Sequence, residues 1–113
     1  MARSPRDLLT PAALHILMAL SRSDLHGYGI KKAVEEQTEG RLRLGPGTLY
    51  EGIHRMEADG WIREVEGPET RGKPRRYYRV TEEGRRRMED ELQRLDQIVG
   101  FAREQALIRG QGR

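Results

Sequence analysis

The chain has 113 residues and no cysteine. That excludes disulfides, thiolate metal sites and cysteine nucleophiles, and it agrees with a cytoplasmic setting. Long apolar runs are also missing. The longest, Ala12 to Leu20, is broken by His15 and falls well short of the ~20 residues that span a bilayer. Arg3 and Arg6 precede it, but Ser21-Arg22-Ser23-Asp24 follows where a signal peptide would carry its small-residue cleavage site. No membrane partner is expected.

Catalytic patterns are missing too. His15, His26 and His54 are scattered, with no ligand spacing between them. Gly27-Tyr28-Gly29 and Gly45-Pro46-Gly47 are isolated fragments without the rest of a phosphate loop. Ser21 and Ser23 have no evident activating base. The expectation is a chain with no catalytic residues, no metal and no cofactor.

What is present is charge. Charged residues make up 35% of the chain, hydrophobic residues another 35%, and the net charge is +3. So thin a core in a chain this short leaves room for an oligomer that buries more apolar surface. A basic balance of +3 points only weakly to nucleic acid.

Along the chain, Thr10-Pro11 is a helix start with Thr as cap, and Ala13, Ile16, Leu17 and Leu20 mark one face. Ser21 to Asp24 reads as a polar turn. A second helix begins near His26-Gly27, carries Ile30, Ala33, Val34 and Gln37, and stops at Gly40. Arg41 to Leu44 alternates like a very short strand. A third helix starts at Pro46, with Leu49, Ile53 and Met56 inward and Asp59-Gly60 as its stop. Trp61 to Glu66 and Arg76 to Val80 read as antiparallel strands around a Gly- and Pro-rich loop. After Thr81 a long helix repeats Met88, Leu92, Leu95, Val99, Ala102 and Ala106 as a heptad seam, widened by Ile98, Phe101 and Ile108. Acids on this helix read as a solvated face.

The predicted fold is therefore mainly α with a small β-hairpin: a winged helix-turn-helix plus a long C-terminal dimerisation helix. Residues 8–81 form the first part and 82–109 the second, within one compact unit.

The front of the third helix, "GPGTLYEGIHRMEADGWI", carries the chemistry. In a helix-turn-helix the start of the second helix meets the base edges. Gly45 and Gly47 permit close approach, Thr48 can bond a base or phosphate, and Tyr50 holds a hydroxyl on a stiff arm. Leu49 and Ile53 point inward, which leaves Thr48 and Tyr50 to face outward together. His54 and Arg55 follow on the same helix. Each has a plainer reading: a tight turn, a core tyrosine, an Arg55–Glu51 pair. Gly52 costs the helix roughly 1 kcal/mol relative to Ala, for a close helix contact or a close DNA approach.

The hairpin adds a basic tip. Arg71, Lys73, Arg75, Arg76 and Arg79 fall within nine residues that hold no acid. Such a tip suits phosphates or a minor groove, although most such runs are merely solvated.

Together these pieces resemble the PadR family of bacterial transcriptional regulators. The matching segments are "LTPAALHILMAL" (9–20), "HGYGI" (26–30), "GPGTLYEGIHRMEADGWI" (45–62) and "RGKPRRYYRVTEEG" (71–84), in the family's order and spacing. The resemblance spans residues 8 to 108. It implies a dimer that binds double-stranded DNA at a palindromic operator, usually as a repressor. By position it puts Tyr28, Thr48, Tyr50, Arg55, Lys73 and Arg75 on the DNA side, to which the reading of helix three and the basic tip adds Gly47, His54 and Arg71. It puts Met88, Leu92, Leu95, Val99, Phe101 and Ala102 in the homodimer interface, and the paired Tyr77 and Tyr78 mainly in structure. The single helix after Thr81 resembles the family's short C-terminal form. Some members release DNA on binding phenolic acids or flat aromatic drugs, so a small aromatic effector is a further candidate partner. In drug-binding members a last-helix tryptophan lines that pocket; here the last helix offers only Phe101, and Trp61 sits at the wing base. The alternative function is a winged-helix protein-interaction module that does not bind DNA.

Overall fold

The structure, a computed structural model, describes residues 9–68 and 75–109. Its elements run α1 (Pro11–Arg22), β1 (Leu25–His26), α2 (Gly27–Gln37), α3 (Pro46–Ala58), β2 (Ile62–Val65), β3 (Tyr77–Val80) and α4 (Glu82–Glu104). This is the winged helix-turn-helix order, with a long helix appended.

Helix α1 starts as Thr10-Pro11 dictates. The Thr10 hydroxyl accepts the Ala13 N–H at 3.0 Å, and Pro11 sits where no helical N–H is needed. Leu14, Ile16, Leu17, Ala19 and Leu20 are all buried. That stripe is wider than the sequence periodicity suggests, because α2, α3, α4 and β3 all pack on α1. Truncating a side chain as enclosed as Leu17 typically costs about 2–5 kcal/mol.

Helix α2 buries Ile30 and Val34, and its Gln37 donates to the His15 carbonyl at 2.8 Å. The chain then turns through Glu39 and Gly40, both left-handed at φ 54° and 80°. The expected strand at Arg41 to Leu44 is absent; the segment is irregular. Leu44 is buried and Leu42 packs on the same core, so the alternation anchors a loop instead of building a sheet.

The expected hairpin is β2 and β3, with Ile62 opposite Val80 and Val65 opposite Tyr77. A third strand joins it. β1 pairs antiparallel with β3 in the order β1-β3-β2, matching Leu25 with Tyr78 and His26 with Tyr77. Two residues are too few to show alternation in sequence, and Ser21-Arg22 finish α1 instead of starting the turn. A bidentate pair from Arg79 to Asp24, at 2.8 and 3.1 Å, ties the chain before β1 to β3. That contact, with the nearby charge of Arg79, holds the Asp24 carboxyl below its ordinary pKa. Of the paired tyrosines, Tyr78 is buried in the core and Tyr77 half-buried.

The junction of α3 with α4 is tight. Thr81 caps α4, accepting the Gly84 N–H at 3.0 Å while its hydroxyl donates to the Gly60 carbonyl at 2.6 Å. Glu82 and Glu83 occupy the first turn, where the helix dipole favours them.

The α4 seam divides along its length. Met88 is buried within its own chain, where the Ser21 hydroxyl lies 3.3 Å from its sulfur, and Leu95 packs on the same core. Leu92, Ile98, Val99 and Phe101 stay exposed, and Ala106 falls beyond the helix end with φ 55°. Met88, predicted for the dimer interface, is thus already covered by its own protomer. Glu91 corrects the solvated-face expectation. It is buried between Met88 and Leu95 and forms a bidentate pair with Arg94 at 2.5 and 3.1 Å.

A Cβ on Gly84 would run into the Trp61 carbonyl oxygen, which is backbone and cannot swing away. Gly84→Ala should therefore destabilise the fold by about 1–3 kcal/mol, as overpacking does. Urea unfolding of the variant beside the wild type checks this, and equal midpoints would refute the close approach.

Candidate nucleic-acid interface

Helix α3 is held by three buried residues, Leu49, Ile53 and Met56. They fix its rotation. At about 100° per residue, Thr48 and Tyr50 then point about 160° apart. Both are exposed, but they flank the outer face from opposite sides. Between them lie Gly47, Glu51 and His54, also exposed. The expectation that Thr48 and Tyr50 share one outward line is corrected to this broader surface.

Tyr50 is 53% exposed, yet it is braced. Its hydroxyl lies only 2.5 Å from where a Cβ on Gly27 would stand. Any side chain at Gly27, the first residue of α2, would displace that ring. Gly52 has no neighbour of this kind among the described residues, nor do Gly45 and Gly47. Among the described residues, no close helix contact explains Gly52.

On the opposite flank, Thr48, Gly52 and Arg55 line an open groove of about 930 Å³, together with Leu9 and Ala13 of the first-helix region and Trp61. The Arg87 guanidinium sits 5.0 Å from the Trp61 ring centroid, a cation–π geometry. Arg55 is exposed, and no ion pair joins it to Glu51.

A second cluster joins α2 to the wing. His26 caps α2, its Nδ1 accepting the Gly29 N–H at 3.0 Å. Its ring meets Tyr77 edge-on at 5.2 Å and lies nearly parallel to Tyr28 at 6.5 Å. Lys32 stands 5.9 Å over the Tyr28 ring. Arg75, on the loop side of β3, brings a guanidinium nitrogen to 3.1 Å from His26 Nε2. Burial, and after it the charge of Arg75, push the His26 pKa below its usual 6.5. Sequence reading gave His26 no role beyond a helix cap or core edge at the start of the second helix; the contact with Arg75 crosses 49 positions and has no local signal. Of the predicted wing residues, Arg71 and Lys73 lie outside the described residues. Among the described residues, no helix is long and apolar enough to cross a membrane.

A family model, the transcriptional regulator PadR-like family, matches residues 16–90. The chain belongs to the PadR-like family. Transcriptional regulator Rv3488 of Mycobacterium tuberculosis is 34% identical over 86 residues, covering 76% of this chain and 77% of that protein. A PadR family transcription regulator from Clostridium difficile R20291 has a TM-score of 0.72 at 26% identity, over 84% of this chain and 97% of that one. Bacillus subtilis PadR, solved in complex with operator DNA, shares the fold with a TM-score of 0.61 at 19% identity, over 89% of this chain and 49% of that one. The PadR-like family is one of transcriptional regulators, not of enzymes.

The His26 cap makes the stability of this PadR-like fold sensitive to acid. Nδ1 must stay unprotonated to accept the Gly29 N–H. The folded pKa lies below 6.5, so the unfolded chain takes up a proton first as pH falls. The stability contributed by neutral His26 is complete above about 6.5 and is lost as pH drops from there through the lower folded pKa. Melting temperatures recorded between pH 7.5 and 5 should decline across that window, and His26→Asn, which keeps a cap acceptor without a titrating ring, should flatten the decline. Parallel curves for the two proteins would exclude His26 as the titrating group.

Proposed function

We propose that this PadR-family chain is a sequence-specific regulator that binds double-stranded DNA as a homodimer on a palindromic operator and represses transcription there. The observation that carries the reading is the uncovered face of α3. Among the described residues, Gly45, Gly47 and Gly52 have nothing within 4 Å of a would-be Cβ, although Gly52 weakens the helix. An outside surface that comes close to the backbone accounts for Gly45 and Gly47 at the helix start and, where it reaches round Thr48 to the groove flank, for Gly52; a major groove is such a surface. Thr48 and Tyr50 bound that face, with His54 beside them and Arg55 on the groove flank. Tyr28 extends it from α2, and Arg75 with Arg71 and Lys73 extends it into the wing for phosphate or minor-groove contact.

The dimer rests on α4. Leu92, Ile98, Val99 and Phe101 form an apolar stretch that the protomer leaves open, continued by half-buried Ala102. A second copy of α4 covers it under two-fold symmetry and sets the spacing of two recognition helices on two half-sites. Phe101, 60% exposed, is the α4 aromatic on which a flat effector between the subunits stacks to release DNA.

Selection from a random-sequence duplex library identifies the operator, and failure to enrich any sequence favours a protein-interaction module instead. Two variants then test the parts. Gly52→Ala should raise unfolding stability by up to about 1 kcal/mol while weakening binding to the selected duplex several-fold, a trade visible by denaturation and fluorescence titration. Full affinity in that variant would remove the close approach at Gly52. Val99→Glu places a charge in the open seam and should yield monomers with lost operator binding. A dimer persisting in sedimentation would move the interface off α4.

A further inference from the structure

Resting on the DNA-binding reading above, the geometry points to a two-armed clamp for one backbone phosphate, made by the Nε2–H of His26 and the guanidinium of Arg75. The argument begins with the cap. His26 Nδ1 accepts the Gly29 N–H at 3.0 Å, so Nδ1 holds a lone pair and the proton of the neutral ring is on Nε2. Arg75 approaches that same Nε2 at 3.1 Å. Guanidinium nitrogens only donate. Two N–H donors therefore face each other, and neither can accept. The contact in the free protein is not a hydrogen bond but a pair of donors gathered at one point.

A shared oxygen acceptor resolves that arrangement, and the surroundings select a negative one. Lys32 lies over the Tyr28 ring beside His26. Two acids of the adjoining segments are engaged elsewhere, Asp24 by Arg79 at 2.8 Å and Glu64 by Arg76 at 3.9 Å. The ring is also pre-aimed, fixed by its cap bond and by the edge of Tyr77. Position names the anion's source. Gly27, the next residue, carries the Tyr50 hydroxyl of α3 against it, and Arg75 lies two residues before β3, on the loop side of the wing. The clamp thus lies between the recognition helix and the wing, where the helix before the recognition helix crosses the DNA backbone. A phosphate held there sets the register of the protein on the duplex and carries no base preference.

The two arms differ in charge, which makes them separable. On the duplex selected by the wild type, His26→Asn keeps the cap acceptor and loses the aimed donor. It should weaken binding roughly fivefold with the salt slope unchanged, since a neutral donor displaces no counterion. Arg75→Ala should weaken binding similarly and lower the slope by about one. The double variant should lose less than the product of the two, because both arms hold one phosphate. Arg75→Ala should not lower the melting temperature of the free protein, whereas a true structural His26–Arg75 bond would. Nitrogen NMR of the His26 ring should show the Nε2–H tautomer, shifting with duplex but not with millimolar inorganic phosphate alone.

Wild-type affinity in His26→Asn, on a duplex the wild type binds, would overturn the clamp and leave the DNA reading standing. A ring shift with inorganic phosphate alone would assign the site to free phosphate and overturn the DNA assignment. A wild type that binds no duplex would overturn the reading on which the clamp rests.

Discussion

Burial of Leu49, Ile53 and Met56 is the constraint on which the outer surface depends. These three side chains allow α3 only one rotation against the core. With that rotation set, Tyr50 must lean on the start of α2, Thr48 and Arg55 must face the groove beside Trp61, and Gly47, Glu51 and His54 must point away from the protein. The polar surface is a by-product of apolar packing, and it is as rigid as that packing.

Rigidity passes from α3 into the wing through small residues and caps. Gly27 admits the Tyr50 ring; His26 closes the first turn of α2 and supports the edge of Tyr77; Gly67 is free of a Cβ that would strike that same Tyr77 ring. On the far side, Thr81 and Gly84 press the start of α4 onto the Trp61 carbonyl. The two ends of the wing are thus each anchored to a helix start, the loop end to α2 and the other end to α4. On the proposed DNA-binding reading, such coupling lets phosphate contacts at the wing position the side chains that meet bases.

Helix α4 serves two ends with one stripe. Its first half supplies Met88 and Leu95 to the protomer and tolerates a buried Glu91 by pairing it with Arg94. Its second half keeps the same periodicity but runs past the body that would cover it. Heptad spacing reports that a face is apolar; it does not report which chain covers it. For that reason Met88 and Val99, alike in sequence pattern, differ in structure, one buried and the other 38% exposed.

Much of this was legible in the residues themselves, where the physics is local. Thr10-Pro11 and Thr81 announce helix starts because caps act within three residues. Leu49, Ile53 and Met56 announce an amphipathic helix because its period is short. The order of helices and strands, and with it the winged helix, follows from such signals. What only the tertiary structure decided are contacts between distant positions. Leu25–His26 becomes a strand because β3 is there to pair with it, Arg41 to Leu44 stays irregular because no strand is beside it, and Tyr50 is braced because position 27 lacks a side chain. The meeting of His26 with Arg75 belongs to the same class. Sequence by itself determined which segments curl and which faces avoid water, since those depend on neighbours along the chain; the fold decided which polar groups converge, since that depends on neighbours in space.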